Sequence, residues 1–290
     1  MTAVRKVVFP VAGLGTRMLP ATRVLPKEML PVVDKPIIQY ALEEAAEAGA
    51  EQFIFITGRG KSIIEDHFDR AFELFQTLEE KQKRTALEQL TYDTPAPGKV
   101  IFTRQQEPRG LGHAVWCARH LVRDEPFGVI LVDDLIQSER PCMAQLADVH
   151  ARTGGSVVAV MEVPEEQTSR YGIVNPGRRD GDLVEVRGLV EKPDPSDAPS
   201  RLAVIGRYVL TPQVFDHLSR HQTGAGGEIQ LTDAMESLIG RQPFHGLSFE
   251  GRRFDCGDKL GYLEAIVALA SSRDELAEGM QDILRRYGAR

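Results

Sequence analysis

The stretch from Val11 to Pro31, VAGLGTRMLPATRVLPKEMLP, gathers the residue types that hold phosphate. Gly13 and Gly15 let the backbone approach a ligand closely and take positive φ, which turns main-chain N–H groups toward an anion. Arg17, Arg23 and Lys27 set cations around the same turn. Pro20, Pro26 and Pro31 stiffen it and preclude a helix directly after the glycines. Two familiar phosphate loops fit poorly. The segment from Gly15 lacks the Gly-Lys-Ser/Thr ending of a P-loop. Met18 stands where a dinucleotide-binding fingerprint needs its third glycine, and Thr57-Gly58 stand where it needs an acid ending the second strand.

Carboxylates supply the complementary charge. Asp133 ends the apolar run Gly128 to Val132, so it is delivered at the carboxyl end of a central strand. One or two carboxylates there, with phosphate oxygens and water, are the usual holders of Mg²⁺ in phosphoryl transfer. The pair Asp133-Asp134 also suits a turn or a helix cap, and strand register assigns Asp133 to the ion. Asp255 follows a second short strand and precedes Gly257. Glu191-Lys192-Pro193 ends a further strand. A Lys there meets a phosphate as a point charge, while Glu191 accepts hydrogen bonds from sugar hydroxyls. Taken alone, such a triplet is more often a surface turn. His217 and His221 have the i, i+4 spacing of a zinc pair, but without a third ligand nearby an exposed helix face is the simpler reading. Cys256 reads as a small buried side chain, since no Cys-His-acid order marks a nucleophile.

Gly13-Leu14-Gly15-Thr16-Arg17, Pro20 and Pro26-Lys27-Glu28-Met29-Leu30-Pro31 together resemble the signature of the sugar-1-phosphate nucleotidylyltransferases, most of all their bacterial branch acting on UTP and glucose 1-phosphate. Further matches follow in order: Arg104-Gln105, Gly110-Leu111-Gly112-His113-Ala114, the Asp133 turn, Tyr171-Gly172-Ile173, Glu191-Lys192-Pro193, Gly206-Arg207-Tyr208, Gly227 to Asp233 and Phe254-Asp255-Cys256-Gly257. They span nearly the whole chain. Two positions depart from the pattern: Arg23 stands where relatives commonly have Lys, and Asp134 where an apolar residue is more usual.

The resemblance implies a Mg²⁺-dependent enzyme that moves a uridylyl group from UTP to α-D-glucose 1-phosphate, giving UDP-glucose and pyrophosphate. It assigns catalytic roles to Arg17, Lys27, Asp133 and Lys192. Nucleotide contacts fall to Ala12, Gly13, Gly15, Gln105 and Gly110, with Gln105 facing uracil through its amide. Sugar-phosphate contacts fall to Gly172, Glu191 and Lys192, and metal contacts to Asp133 and Asp255, although some relatives rely mainly on the first. The attacking sugar phosphate is already an anion, so no general base is needed. That agrees with the lack of a Ser-His-Asp or Cys-His constellation. A homodimer or homotetramer is implied as well. Alternatives are another nucleotide or sugar phosphate, such as dTTP, a glycosyltransferase with an Asp-x-Asp motif, and a non-catalytic nucleotide sensor. Asp133-Asp134-Leu135 is not Asp-x-Asp, and the complete set of charged residues argues against a sensor.

The elements that must position these residues follow from periodicity. Strand-like runs at Lys6 to Val11, Gln52 to Thr57, Val100 to Arg104 and Gly128 to Val132 alternate with helical patterns at Pro36 to Ala48, Lys61 to Leu90 and Gly112 to Val122. That order predicts an α/β fold: a Rossmann-like, mixed but mainly parallel sheet with helices on both faces. In the second half, Ser156 to Val163, Gly172 to Asn175, Leu183 to Val190 and Leu202 to Leu210 are short strands separated by NPGRRDGD and EKPDPSDAPS, which predicts a small antiparallel extension that binds the sugar. Pro212 to Arg220, Glu228 to Ile239 and Lys259 to Tyr287 read as helices. The chain is expected to be one domain, 1–290, with a nucleotide half over 1–150, a sugar-phosphate half over 151–257 and a helical segment over 258–290.

Composition limits the rest. With 290 residues, 42% of them apolar and 27% charged, the chain can bury a large core and is no disordered or coiled-coil sequence. The net charge is −7, yet six basic and two acidic residues give +4 over residues 1–35, leaving −11 elsewhere. Such a local positive patch suits a small anion, whereas nucleic acid favours a broad basic face. No apolar run approaches the roughly 18 residues of a membrane span, and no signal-peptide pattern precedes the first strand, so the cytoplasm is the expected compartment. Three scattered cysteines make neither a disulfide framework nor a zinc site.

Overall fold

The computed structural model describes residues 3–288. β1 (Lys6–Pro10) leads into three single 3-10 turns, Thr16–Met18, Ala21–Arg23 and Lys27–Met29, so the proline-rich segment stays free of α-helix. Then come β2 (Pro31–Val32), β3 (Lys35–Pro36) and α1 (Ile37–Glu47), after which Gly49 takes φ 89°. β4 (Gln52–Thr57), α2 (Ser62–Phe68), α3 (Phe72–Glu80), α4 (Arg84–Asp93) and β5 (Val100–Arg104) follow. α5 (Leu111–Trp116), α6 (Arg119–Val122), β6 (Phe127–Ile130), β7 (Asp134–Gln137) and α7 (Cys142–Thr153) complete the first half. The second half contains β8 (Ser156–Glu162), β9 (Gly172–Asp180), β10 (Leu183–Glu191), β11 (Leu202–Leu210), α8 (Val214–Leu218), α9 (Leu231–Glu236), β12 (Phe244–Ser248), β13 (Arg252–Asp255), α10 (Lys259–Ser271) and α11 (Asp274–Gly288).

Nine of these strands form one sheet in the order β5-β4-β1-β6-β11-β8-β12-β10-β9. The first four are parallel. β11 then runs antiparallel to both β6 and β8, β12 lies parallel to β8, and β10 is antiparallel to β12 and β9. The sheet is therefore mixed, and the expected parallel majority holds only for the half drawn from residues 1–150. Connection length accounts for the β9–β10 pair, whose Gly181-Asp182 turn is too short for a crossover helix; the other antiparallel pairs join strands far apart in the chain.

Along β1, Val7 and Phe9 face one side and Val8 the other, while β4 alternates Phe53 and Phe55 against Ile54 and Ile56. Both faces are buried, which is why these strands read as unbroken apolar runs. Phe9 stacks on Phe55 with ring centroids 4.6 Å apart. Ile38 and Leu42 of α1, Leu146 of α7 and Leu269 of α10 cover the first face. Val115 of α5, Phe215 of α8 and Met235 of α9 cover the second. Each such buried side chain is worth about 1.5–3 kcal/mol.

Several boundaries differ from expectation. Asn175–Asp180 belongs to β9 and is no loop: β9 lies at the sheet edge, where Pro176 costs no ladder bond, and Arg178 N–H donates to Glu185 Oε2 at 3.0 Å. The amphipathic stretch 61–90 breaks into α2, α3 and most of α4, with Gln82 at φ 53° in the second break. The helix expected over 112–122 divides into α5 and α6. That over 259–287 divides at Ser272-Arg273, where Arg273 bonds Asp34 at 2.7 Å and the Tyr40 hydroxyl at 3.0 Å. Glu228 to Gln230 precede α9 in extended form because Ile229 exchanges backbone hydrogen bonds with Arg109 and Gly112. The helix expected over 212–220 is confined to α8, and β12 fills the sheet between β8 and β10 without having been read as a strand. Among the described residues no helix is long and apolar enough to cross a membrane.

Candidate active site

The carboxyl ends of β5, β4, β1 and β6 lie side by side, the position where open α/β sheets take ligands. They deliver Gln105, Gly58, the Ala12 to Arg17 turn and Asp133 in that order. β1 and β4 approach so closely beyond their ends that a Cβ on Gly58 would stand 3.1 Å from the Ala12 carbonyl oxygen. Gly15 takes φ 65° at the start of the first 3-10 turn, and Thr22 Oγ1 donates to its carbonyl at 2.6 Å. Gly13, expected to share the positive φ, does not take it. A Cβ there would meet nothing within 4 Å, so its face is open to a ligand.

Charge converges at the centre. Lys27 Nζ donates to Asp133 Oδ2 at 2.6 Å, and the Arg17 guanidinium lies 3.7 Å from the same oxygen. Burial works against the Lys27 ammonium, but Asp133 and Glu28 outweigh it and hold its pKa above the ordinary value. Burial likewise opposes ionisation of Asp133, and the adjoining Lys27 and Arg17 overcome it, so the carboxyl lies below the usual range. Behind them Glu28 accepts from Lys61 at 2.7 Å, with both side chains buried, which ties the Pro26 to Glu28 turn to the start of α2.

The β7–β13 ribbon brings the other acids together, with Asp134 opposite Asp255 in register. Asp134 Oδ1 accepts from Arg253 Nε at 2.6 Å and Oδ2 from the Gly206 N–H at 3.2 Å, so this carboxylate is committed to packing. Asp133, one residue earlier, faces Lys27 instead. Asp255 Oδ1 accepts from Gly257 N–H at 3.0 Å, and its Oδ2 lies 3.0 Å from Arg170. A Cβ on Gly257 would stand 2.9 Å from Asp255 Oδ1, 3.0 Å from Asp133 Oδ2 and 2.5 Å from Arg17 Nη2. Glycine thus leaves a small space edged by the Arg17 guanidinium and by two carboxylate oxygens. Their chemistry suits a hard cation that keeps phosphate or water at its remaining positions. Among the described residues no cluster of three or more His, Cys, Asp or Glu forms a metal cage.

The remaining predicted residues meet on the far side. Bulges between Val184 and Gly188 bend β10, and its Glu191 end returns to pair with Gly172 of β9. Thr232 Oγ1 donates to Glu191 Oε2 at 2.6 Å, and Lys192 Nζ lies 3.1 Å from Glu191 Oε1. Lys192 takes φ 46°, held by its N–H bond to the Tyr171 carbonyl at 2.9 Å. A left-handed backbone at a non-glycine residue costs about 1–3 kcal/mol and concentrates at ligand clamps. A cavity of about 230 Å³ is lined by Arg17, Asp133, Gly172, Glu191, Lys192 and Asp255. Lys27, Ala12, Gly13, Gly15, Gln105 and Gly110 are not in its lining and belong to the strand ends beside it.

Sequence reasoning missed Arg170, Thr232 and Arg253, all on this cavity. Each adjoins or lies within a recognised motif, and only tertiary contact reveals its partner. The remaining readings, of Arg23, the His217–His221 spacing and Cys256, fare differently. Arg23 is exposed and makes no ion pair among the described residues. His221 lies beyond the end of α8 at φ 53° and bonds Arg109 at 3.2 Å, so the i, i+4 spacing does not put it on one helix with His217. Cys256 is buried, and burial first, then the neighbouring carboxylates, push its thiol up to about 12. It is no nucleophile at neutral pH.

The nucleotidyl transferase family model matches residues 6–272. The chain belongs to the nucleotidyl transferase family. This member is 54% identical over 256 residues to a UTP–glucose-1-phosphate uridylyltransferase of Komagataeibacter xylinus, covering 88% of this chain and 90% of the relative. A UTP-bound UGPase from Acinetobacter baumannii superposes with a TM-score of 0.91 at 38% identity, covering 98% of this nucleotidyl transferase and 99% of that chain. A UDP-glucose pyrophosphorylase complexed with UDP-glucose gives 0.84 at 42% identity over 93% of this chain and 100% of that one.

Proposed function

We propose that the chain transfers a uridylyl group from UTP to α-D-glucose 1-phosphate, giving UDP-glucose and pyrophosphate. The observation that carries this reading is the charge convergence: Lys27 and Arg17 on Asp133 at the strand ends, with Lys192 across the cavity. Relatives named for this reaction cover nearly the whole chain.

In this reading Arg17 and Lys27 exchange Asp133 for the triphosphate and then hold the leaving pyrophosphate. Lys192 holds the sugar phosphate, and Glu191, fixed by Thr232, receives sugar hydroxyls. A sugar-phosphate oxygen attacks the α-phosphorus in line; the new P–O bond forms as the bond to the β-phosphate bridging oxygen breaks. The chain's work is positioning two anions and offsetting their charge. Asp133 and Asp255 would hold Mg²⁺, which supplies charge neutralisation at the transferring phosphate. Ala12, Gly13 and Gly15 would present backbone to the nucleotide, and Gln105 with Gly110 would meet uracil. The chain acts as one unit in the cytoplasm, its nucleotide half on the parallel strands and its sugar half on β9 and β10.

The deciding measurement is pyrophosphate release with UTP, glucose 1-phosphate and Mg²⁺, beside dTTP and other sugar phosphates. Release with that pair well above all others is expected, and no release with any pair excludes transferase activity. Lys192→Ala should raise KM for glucose 1-phosphate far more than KM for UTP. Equal effects would remove Lys192 from its assigned role.

A further inference from the structure

Gln105 is buried at the carboxyl end of β5, and its amide nitrogen is fully engaged. Nε2 donates to the Gly110 carbonyl at 3.0 Å and lies 3.0 Å from His113 Nδ1. A carbonyl only accepts, so the NH₂ end of the carboxamide must face Gly110. With one N–H on Gly110, the second meets His113 Nδ1 as an acceptor, which requires the neutral ring with its proton on Nε2. Both donors are then spent, and among the described residues no protein donor reaches Gln105 Oε1.

The surroundings favour that neutral ring. His113 is buried in α5 and stacks on Trp116 with ring centroids 5.6 Å apart at 20°. Arg119 lies 3.5 Å over the same indole, and Arg109 holds His221, whose ring sits 5.7 Å from His113. Of the charged and titratable groups facing it, Arg109, Arg119 and His221 disfavour a further positive charge, with Glu107 alone opposing them.

We infer that His113 is a positioning residue that fixes the Gln105 carboxamide with its oxygen outward, so that the base site accepts a ring N–H and selects uracil over cytosine. This rests on the reading that Gln105 faces the base. Uracil presents N3–H, a donor, whereas N3 of cytosine is an acceptor and would confront Oε1 lone pair to lone pair. Thymine carries the same N3–H, so this device separates UTP from CTP and does not separate UTP from dTTP. If His113 presented a proton at Nδ1, the carboxamide would be pulled toward the opposite orientation, against the Gly110 carbonyl.

The test compares His113→Phe, which keeps the stack on Trp116 but removes the acceptor, with His113→Asn, whose side-chain oxygen restores one. His113→Phe should raise KM for UTP about tenfold, the scale of one lost hydrogen bond. It should narrow the UTP-over-CTP ratio of kcat/KM by a similar factor, leaving KM for glucose 1-phosphate unchanged and kcat within twofold. His113→Asn should recover most of both losses. Trp116, the sole tryptophan of the chain, gives a second readout by fluorescence titration with UTP and CTP in the absence of sugar phosphate. An unchanged UTP-to-CTP ratio in His113→Phe, while Gln105→Ala lowers it, overturns the inference alone. If Gln105→Ala also leaves the ratio unchanged, the base assignment of Gln105 falls with it.

Discussion

At the scale of residues, the two adjacent acids Asp133 and Asp134 have different duties because Asp133 ends the turn that leaves β6 and meets Lys27, whereas Asp134 opens β7 and meets Arg253. Asp133→Asn should cost about 10²- to 10³-fold in kcat, the scale of a single preorganised charged contact, and some stability as well, since Lys27 loses its closest partner. Asp134→Ala removes the shorter of two ion pairs from the half-buried Arg253, which keeps Asp255 and the Tyr171 hydroxyl, and should cost about 1–3 kcal/mol in urea unfolding. A reversal of the two phenotypes would exchange the assignments. Proton linkage gives a further expectation. Asp133 titrates below its ordinary value, so its pairing with Lys27 is fully present above about pH 4 and is lost only as pH falls through the depressed pKa. Lys27 titrates above its own and stays cationic over the same range. Neither group changes charge near neutrality, whereas a phosphate monoester has its second pKa near about 6. The acid limb of kcat/KM for glucose 1-phosphate should therefore belong to the substrate, and a fluorinated, more acidic sugar phosphate should move it to lower pH. A limb that ignores the analogue would point to a protein group.

At the scale of elements, the site depends on loops that grip each other more than on any single helix. Gly110 takes φ 102°, and a Cβ there would stand 2.7 Å from Glu228 Cβ and 2.8 Å from the Ile229 carbonyl oxygen. The Gly110 to Gly112 segment and the Glu228 to Gln230 segment are thereby joined as a two-stranded clasp, with Gly112 N–H on Ile229 at 2.9 Å and Ile229 N–H on Arg109 at 2.8 Å. Gly110→Ala should destabilise the fold by about 1–3 kcal/mol and raise KM for UTP, since the displaced carbonyl no longer holds Gln105. An unchanged unfolding midpoint would show that the clasp yields without strain. Strands were the most legible elements: β4, β5 and β11 match the expected spans residue for residue, β4 and β11 because strands buried on both faces read as apolar runs, and β5, a half-buried edge strand, through its Val100 to Phe102 start. Helix breaks were not legible. The division between α10 and α11 has no glycine or proline to announce it and is pinned by Arg273 reaching Asp34 and Tyr40, more than 200 residues away in the chain.

At the scale of the whole molecule, α11 carries an apolar stripe of Leu276, Met280, Ile283, Leu284 and Tyr287 at helical spacing, yet none of its residues is buried. That stripe supports the expected homodimer or homotetramer. Light scattering should give a multiple of the 32.1 kDa chain mass, and the double variant Ile283→Glu, Leu284→Glu should return a single chain. An assembly that survives the double variant has its interface elsewhere.

The sequence by itself determined the ingredients: a glycine turn ringed by cations after the first strand, acids at later strand ends, and enough motifs in order to define the family. Local chemistry suffices there, because apolar periodicity places strands and glycine, proline and charge mark the turns between them. Tertiary structure alone decided the partners. That Asp133 meets Lys27 while Asp134 meets Arg253, that Asp255 lies beside Asp133 across Gly257, and that Gln105 has its nitrogen consumed by Gly110 and His113 are all contacts set by sheet order and ribbon register. Sheet order depends on the summed packing of both faces, which no local window of sequence contains. The +4 of the first 35 residues shows the same division: composition revealed the charge, and folding brought Asp133 against it.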